Sequence, residues 1–287
     1  MVRTAVAFCP GHISGYFRKV PGRTPAETGS IGAGIVIDEG VKATARASDR
    51  VSVRVQRLGS QGEIINEYAG SEPIEYIIRR LGLSAEVRTT CRLPLSSGFG
   101  LSAAALLASL TALDTLFELG LDRKEIAALA HEAEIAHQSG LGDVAALQGG
   151  GVVCRSAPGT DAPITRMRGN PGPIVVVNFG PLVTSDVITS EAQMERVTTA
   201  YPLRSPEDIR DFFVQTRGFA EKSGLVTDEV ARVFDACDRA GVPAGMTMLG
   251  NGVFAYGNEA KEVLSEFGEV YVMNIAERGF YSIGVKN

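Results

Sequence analysis

Two segments of this sequence combine glycine with hydroxyl or acidic side chains at a spacing that suits phosphate chemistry. The first is Pro94-Leu95-Ser96-Ser97-Gly98-Phe99-Gly100-Leu101-Ser102-Ala103-Ala104-Ala105, which runs into an Ala/Leu-rich stretch. Glycine lets backbone approach a ligand with no Cβ in the way. A helix start presents unpaired N–H groups and the positive end of the helix dipole, both of which favour an anion. The segment therefore reads as a phosphate cradle, with Ser102 in the first helical turn as a ligand for a metal ion or a phosphate oxygen. The second segment is Ser139-Gly140-Leu141-Gly142-Asp143, followed by Gly149-Gly150-Gly151. A carboxylate on a glycine-rich turn can orient an attacking alcohol and take its proton; the simpler role for Asp143 is to cap the next segment.

Other readings of the first loop are weaker. No Gly-Lys-Ser/Thr follows its first glycine, so it is not a Walker A loop. Gly98, Gly100 and Ala103 satisfy a loose dinucleotide pattern. That fold needs glycines directly at a strand end and an acidic strand end about 20 residues on. Here Pro94–Ser97 intervenes, and Asp122 reads as a helix cap. A tight turn ahead of a core helix remains the plain structural alternative.

These residues need a frame. Val2–Phe8, Gly34–Asp38 and the alternating Arg46–Arg57 read as strands, with a Gly/Pro-rich loop at Pro21–Gly34. Glu72–Leu81 reads as a helix and Ala85–Leu93 as a strand. Ser102–Leu119 is apolar nearly all round and should run through the middle of its domain. Asp122 caps a helix through about His137. Advancing about 100° per residue from Ile126, Glu134 falls near 80°, at the border of the apolar face, and Glu132 on the wet side. A carboxylate at that border can hold a metal beside a nucleotide. Gly151–Arg155, Ile174–Asn178, Val253–Tyr256, Val270–Asn274 and Ser282–Val285 read as further strands. Ser205-Pro206-Glu207-Asp208 and Thr227-Asp228-Glu229 open helices. The pattern predicts an α+β chain in two lobes, residues 1–156 and 157–287, with mixed and antiparallel sheets and packed helices.

A third glycine-bearing segment, Ala244-Gly245-Met246-Thr247-Met248-Leu249-Gly250-Asn251-Gly252-Val253-Phe254-Ala255, makes a good hairpin turn by itself. In this order, however, the segments resemble the signatures of the GHMP kinases, small-molecule ATP-dependent kinases. Their second signature, Pro-x-x-x-Gly-Leu-Gly-Ser-Ser-Ala-Ala, is matched by Pro94, Gly98, Gly100, Ser102, Ala103 and Ala104, with Phe99 for Leu and Leu101 for the first Ser. Ser139–Asp143 resembles a Ser-Gly-x-Asp stretch with one extra residue. Residues 244–255 are similar to the glycine-rich C-terminal motif that folds back on the phosphates. Phe8-Cys9-Pro10-Gly11-His12-Ile13-Ser14-Gly15-Tyr16-Phe17 resembles the first motif, with His12 in place of the usual cation. With Gly29–Gly34 and Met248–Asn251, it is similar to the archaeal, pantoate-phosphorylating branch.

The resemblance implies ATP and Mg²⁺ as cofactors and pantoate as the small-molecule substrate, phosphorylated on its primary hydroxyl. It implies Asp143 as base, Ser102 and Glu134 as metal ligands, and backbone from Gly98 to Ser102 on the phosphates. His12, Gly250 and Asn251 are substrate-side candidates. For the pantoate carboxylate and hydroxyls, Arg155, His131, Ser30 and Thr184 are candidates, each equally readable as structural. Mevalonate, shikimate or homoserine as acceptor, or a non-catalytic nucleotide sensor on the same fold, are the alternatives.

Composition agrees. The 287 residues are 45% hydrophobic, enough for a large core, and the net charge of −5 argues against nucleic-acid or anionic-membrane surfaces. Four dispersed cysteines without metal-ligand spacing suit a reducing cytoplasm. Ala5–Phe8 is too short for a signal peptide, and Leu101–Phe117 falls short of a membrane span. A homodimer is compatible with all of this.

Overall fold

Strands β1 (Thr4–Val20) and β2 (Gly29–Ala47) form one long antiparallel ribbon, with register shifts at Pro10/Gly11 and Ser14/Tyr16. The computed structural model describes residues 3–24, 27–169, 172–181 and 191–286. Two sequence expectations change here. The glycine-rich stretch up to Gly34 becomes strand from Gly29 onward, and the first strand runs on through the Pro10-Gly11-His12 segment. Glycine in a strand marks close backbone approach as often as a turn.

Strands β3 (Ser52–Leu58), β4 (Ile64–Ala69), β5 (Ala85–Cys91), β6 (Val152–Arg155) and β7 (Ile164–Met167) complete this sheet with β12 (Tyr281–Lys286). Its order is β12-β1-β2-β5-β3-β4, antiparallel except for the parallel β3–β5 pair. The expected strand Arg46–Arg57 is two pieces: Arg46 and Ala47 end β2, and β3 starts at Ser52. Strand β2 changes partner along its length. Its first half pairs with β6, from Gly32 opposite Arg155 to Ile35 opposite Val152, and its second half with β5, from Lys42 opposite Thr90. The cleft described below lies where those partners diverge.

Helix α1 (Glu72–Arg80) precedes β5, and the helices α2 (Leu101–Phe117), α3 (Arg123–Ala136) and α4 (Asp143–Ala146) follow it. Helix α2 is buried along most of its length against β1 and β2, as its all-round apolarity requires. Asp122 caps α3 through Lys124 N and Glu125 N, both at 2.8 Å, and Glu125 returns the bond, a full capping box.

The second sheet is antiparallel, in the order β11 (Val270–Met273), β8 (Ile174–Pro181), β10 (Gly250–Tyr256), β9 (Ala244–Met246). Helices α5 (Glu191–Ala200), α6 (Ile209–Ser223), α7 (Asp228–Ala240) and α8 (Ala260–Ser265) accompany it. Thr227 caps α7 as expected, whereas α6 starts later than Ser205: Asp208 is its cap, accepting from Asp211 N at 2.8 Å. Tyr16 and Phe17 of β1 meet Phe212 and Phe219 of α6 in an aromatic cluster. Asn274 ties the two sheets, donating from N and Nδ2 to Asp38 at 2.8 and 3.0 Å. These contacts place the β9–β10 hairpin against the loop that opens α2. The molecule is thus a mixed α+β fold.

Candidate active site

A cleft of about 340 Å³ opens beside the first glycine loop. Gly98 and Gly100 have φ of +81° and +61°, and Gly100 is the N-cap of α2, with no side chain serving its first N–H groups. The residues from Leu95 to Ser102 line the cleft. Ser102 is exposed there, while Pro94 and Ala103 lie behind. The β9–β10 turn closes one side. A Cβ on Gly98 would stand 2.9 Å from Met248 O, and one on Gly250 would overlap the Ser97 carbonyl. The third segment is therefore a hairpin turn and also a wall of the first glycine loop.

Asp143 is the first residue of α4, and its side chain stays 29% exposed at the cleft. His12 Nδ1 lies 2.7 Å from its Oδ1, and the Ser14 hydroxyl also bonds to it. Burial pushes this carboxyl up, but His12, Arg155 and Ser14 outweigh that and hold it below the ordinary carboxylate value. Burial likewise pulls His12 down, against the opposing pull of Asp143. A Cβ on Gly100 would be 3.3 Å from Asp143 Cγ, so the acid adjoins the N-terminus of α2.

Glu134 is fully buried, and Gly140 covers it so closely that a Cβ there would collide with Oε1. Burial raises its pKa first of all, and Asp143 adds to this; the His131 hydrogen bond opposes it. His131 Nδ1 is 3.4 Å from Glu134 Oε2, and its Nε2 is 2.9 Å from the Thr28 carbonyl. His131 is thus buried between α3 and the start of β2, away from both water and the cleft wall. Glu132, placed by periodicity on the wet side, is half-exposed and accepts from Tyr76 at 2.6 Å.

Arg155 ends β6, is 3% exposed and lines the cleft. Its Nη1 donates to Ser30 Oγ at 3.2 Å, its Nε has no partner, and no carboxylate lies within 4 Å among the described residues. Gly142 is the space it occupies: a Cβ there would overlap Nη1.

The structure thus gathers His12, Ser30, Ser97, Gly98, Phe99, Gly100, Leu101, Ser102, Asp143 and Arg155 around one cleft, with Glu134 and His131 directly beneath. Asn251 is not part of that wall. It lies on β10, where its Oδ1 accepts from Thr227 Oγ1 at 2.8 Å. Thr184 lies outside the described residues. Ser14 was missed in the sequence; its signal was its place two residues after His12, since alternate strand residues share a face. The apolar end of the cleft, formed by Val41, Val55, Pro73, Ile74, Leu95 and Leu106, was not legible either, because five separate elements supply it.

These residues fit a polyphosphate at the α2 N-terminus, where backbone N–H groups face a cleft without competing side chains. They also fit a cation: Glu134 Oε1 is a buried carboxylate oxygen without a partner, and Ser102 offers a hydroxyl at the loop.

Comparison with known proteins agrees with this geometry. Residues 69–151 match the family described as GHMP kinases N terminal domain. The pantoate kinase of Methanospirillum hungatei is 44% identical over 274 residues, covering 95% of this chain and 94% of that protein. The pantoate kinase of Thermococcus kodakarensis is 31% identical over 291 residues, covering 94% of each. A solved structure described as a phosphotransferase related to the CoA biosynthesis pathway superposes with a TM-score of 0.79 at 26% identity, covering 97% of this chain and 98% of that one.

Proposed function

Because this chain belongs to the pantoate kinases of the GHMP kinase family, we propose that it transfers the γ-phosphoryl group of ATP to the primary hydroxyl of (R)-pantoate, giving ADP and 4-phosphopantoate. One observation carries the mechanism: Asp143 adjoins Gly100 at the helix start, so an alcohol resting on the carboxylate adjoins a phosphate resting on the loop. Transfer is in-line and direct, without a covalent enzyme intermediate.

Backbone N–H groups from Gly98 to Ser102 hold the ATP phosphates, and the 247–250 turn excludes water from them. Asp143, ionised and fixed by His12 and Ser14, orients the alcohol and takes its proton as the bond to phosphorus forms. Arg155 and Ser30 take the pantoate carboxylate, for which a desolvated guanidinium is a strong partner. Glu134 and Ser102 would hold Mg²⁺, which supplies charge neutralisation between the phosphates. His131 steadies Glu134 and the entry of β2 through Thr28. We place the lobe boundary after residue 156, with β7 and β12 both returning to the first sheet. The four free, buried cysteines support a cytoplasmic enzyme.

A coupled ADP-release assay over (R)-pantoate, mevalonate, shikimate and homoserine tests the reading, with ³¹P NMR to locate the ester. Pantoate should be preferred and carry phosphate on the primary oxygen. Preference for another acceptor, or no ADP with any, overturns it.

A further inference from the structure

His12 was placed by the sequence on the substrate side, where the resemblance gives the position to a cation. Its surroundings exclude that role. The ring is buried, and among the described residues its only hydrogen-bond partner is Asp143 Oδ1, at 2.7 Å from Nδ1. A carboxylate oxygen only accepts, so Nδ1 carries the proton. The other nitrogen, Nε2, is buried with no acceptor among the described residues. A protonated Nε2 there would be a charged donor left unsatisfied in a dry site that also feels Arg155 and Arg166. The imidazole is therefore a neutral, single donor.

Beneath the ring lies Gly34 of β2. A Cβ at that position would collide with Nε2, stand 2.8 Å from Cε1 and also meet the Ile13 carbonyl at 2.5 Å. On the opposite side the His12 backbone is pinned to the phosphate loop, its N donating to Phe99 O at 2.9 Å, and a Cβ on Gly100 would be 3.2 Å from His12 Cβ. One residue thus bonds the phosphate loop through its backbone and the acid through its ring, and Gly34 supplies the floor that sets the ring's height.

We propose that His12 is a positioning residue: a neutral Nδ1–H, seated on Gly34, aims the Asp143 carboxylate at the acceptor hydroxyl and keeps it in register with the phosphate loop. The inference rests on the phosphoryl-transfer reading above. A neutral donor fixes direction without cancelling the charge that Asp143 needs to attract the hydroxyl proton, which a lysine or arginine would partly do. Misplacing a reacting group by about 1 Å costs on the order of 100-fold in rate, with little effect on binding.

The test exploits amide geometry. In His12→Asn the side-chain NH₂ falls near the former Nδ1, and in His12→Gln it falls near the former Nε2. Wild type is assayed first, so a failure of the kinase reading shows as absent ADP release and is distinguishable from a failure here. With wild type active, His12→Asn should keep kcat within about tenfold, and His12→Gln should lose on the order of 100-fold, with KM for ATP and pantoate within about threefold in both. Gly34→Ala, whose Cβ presses on the ring and on the Ile13 carbonyl, shifts the ring together with the strand that carries it and should resemble His12→Gln in kcat. Equal kcat for the Asn and Gln variants overturns the proposal, as does wild-type kcat in a folded Gly34→Ala or a loss expressed in KM alone. Circular dichroism and the thermal midpoint confirm that each variant is folded. If Gly34→Ala does not fold, the Asn/Gln comparison decides.

Discussion

Gly250 rests directly on the carbonyl of Ser97, two residues of separate glycine segments that are 153 positions apart and joined with no room for a Cβ. Gly98 meets Met248 O from the other side while holding a φ of +81°. Gly98→Ala therefore has both a conformational and a steric cost, about 1–3 kcal/mol for the backbone alone. The expected result is a lower denaturation midpoint and a KM for ATP raised about tenfold or more, with the pantoate KM little changed. Equal rises in both KM values would show that the contact shapes the whole cleft and not the phosphate loop.

Asp143→Asn keeps size and hydrogen bonding but removes the proposed proton acceptor. A positioned base contributes about 10²–10⁴-fold, so kcat should fall by about that much while both substrates still bind. The carboxyl is held below its ordinary value. Its stabilising contribution is therefore present above the unfolded carboxyl pKa, about 4, and is lost only as pH falls further, through the folded value. Between pH 5 and 8 this group adds no acid limb to kcat/KM. An acid limb in that range that disappears in the Asn variant would contradict the assignment.

Glu134 behaves oppositely. Burial raises its pKa, so the folded state binds the proton more tightly than the unfolded one, and stability falls as pH rises from the unfolded value through the folded one. Glu134→Gln removes that loss. The variant should melt above wild type at pH 8, by a margin that shrinks as pH is lowered towards the unfolded carboxyl value, and should lose turnover at every pH. Thermal unfolding at three pH values checks this. A margin independent of pH would mean that burial does not raise this carboxyl, and normal turnover would end the metal-ligand role for Glu134.

Much of this site could be read before the fold was seen, for a physical reason. Residues that work through backbone geometry must be glycines wherever another backbone or a side chain presses on them, and Gly98, Gly140, Gly142 and Gly250 each face such a neighbour. Asp122 was equally plain, because a cap needs only local sequence. What stayed hidden depends on residues far apart. Nothing local shows that Gly29–Gly34 is strand, since its order comes from pairing with β1 and β6. His12 carries no mark of its burial, which Gly34 and α2 impose together. The cap of α6 was misplaced at Ser205 because Asp208 offers the same chemistry three residues later, and only the observed bond to Asp211 N separates them.

Arg155 gives the sharpest separation of function from stability. Its guanidinium is 3% exposed with no carboxylate within 4 Å among the described residues and one unpartnered nitrogen, and burial lowers its pKa, against the pull of Asp143 and Glu134. A buried cation with an unpartnered nitrogen and no carboxylate within 4 Å repays little of its desolvation, so an apolar replacement of similar length costs little net stability. Arg155→Met should therefore unfold at the same or a higher denaturant concentration than wild type. The same change removes the proposed partner of the substrate carboxylate. A charge-assisted pair contributes about 1.5–3 kcal/mol, so the pantoate KM should rise at least tenfold and up to about 150-fold, with the ATP KM within about twofold. Arg155→Lys should not restore binding, because a single ammonium lacks the planar pair of donors. Equilibrium unfolding and steady-state kinetics on one preparation check both halves. A destabilised Met variant would mean that Arg155 is a structural cation, and a fully active one that the carboxylate is held elsewhere.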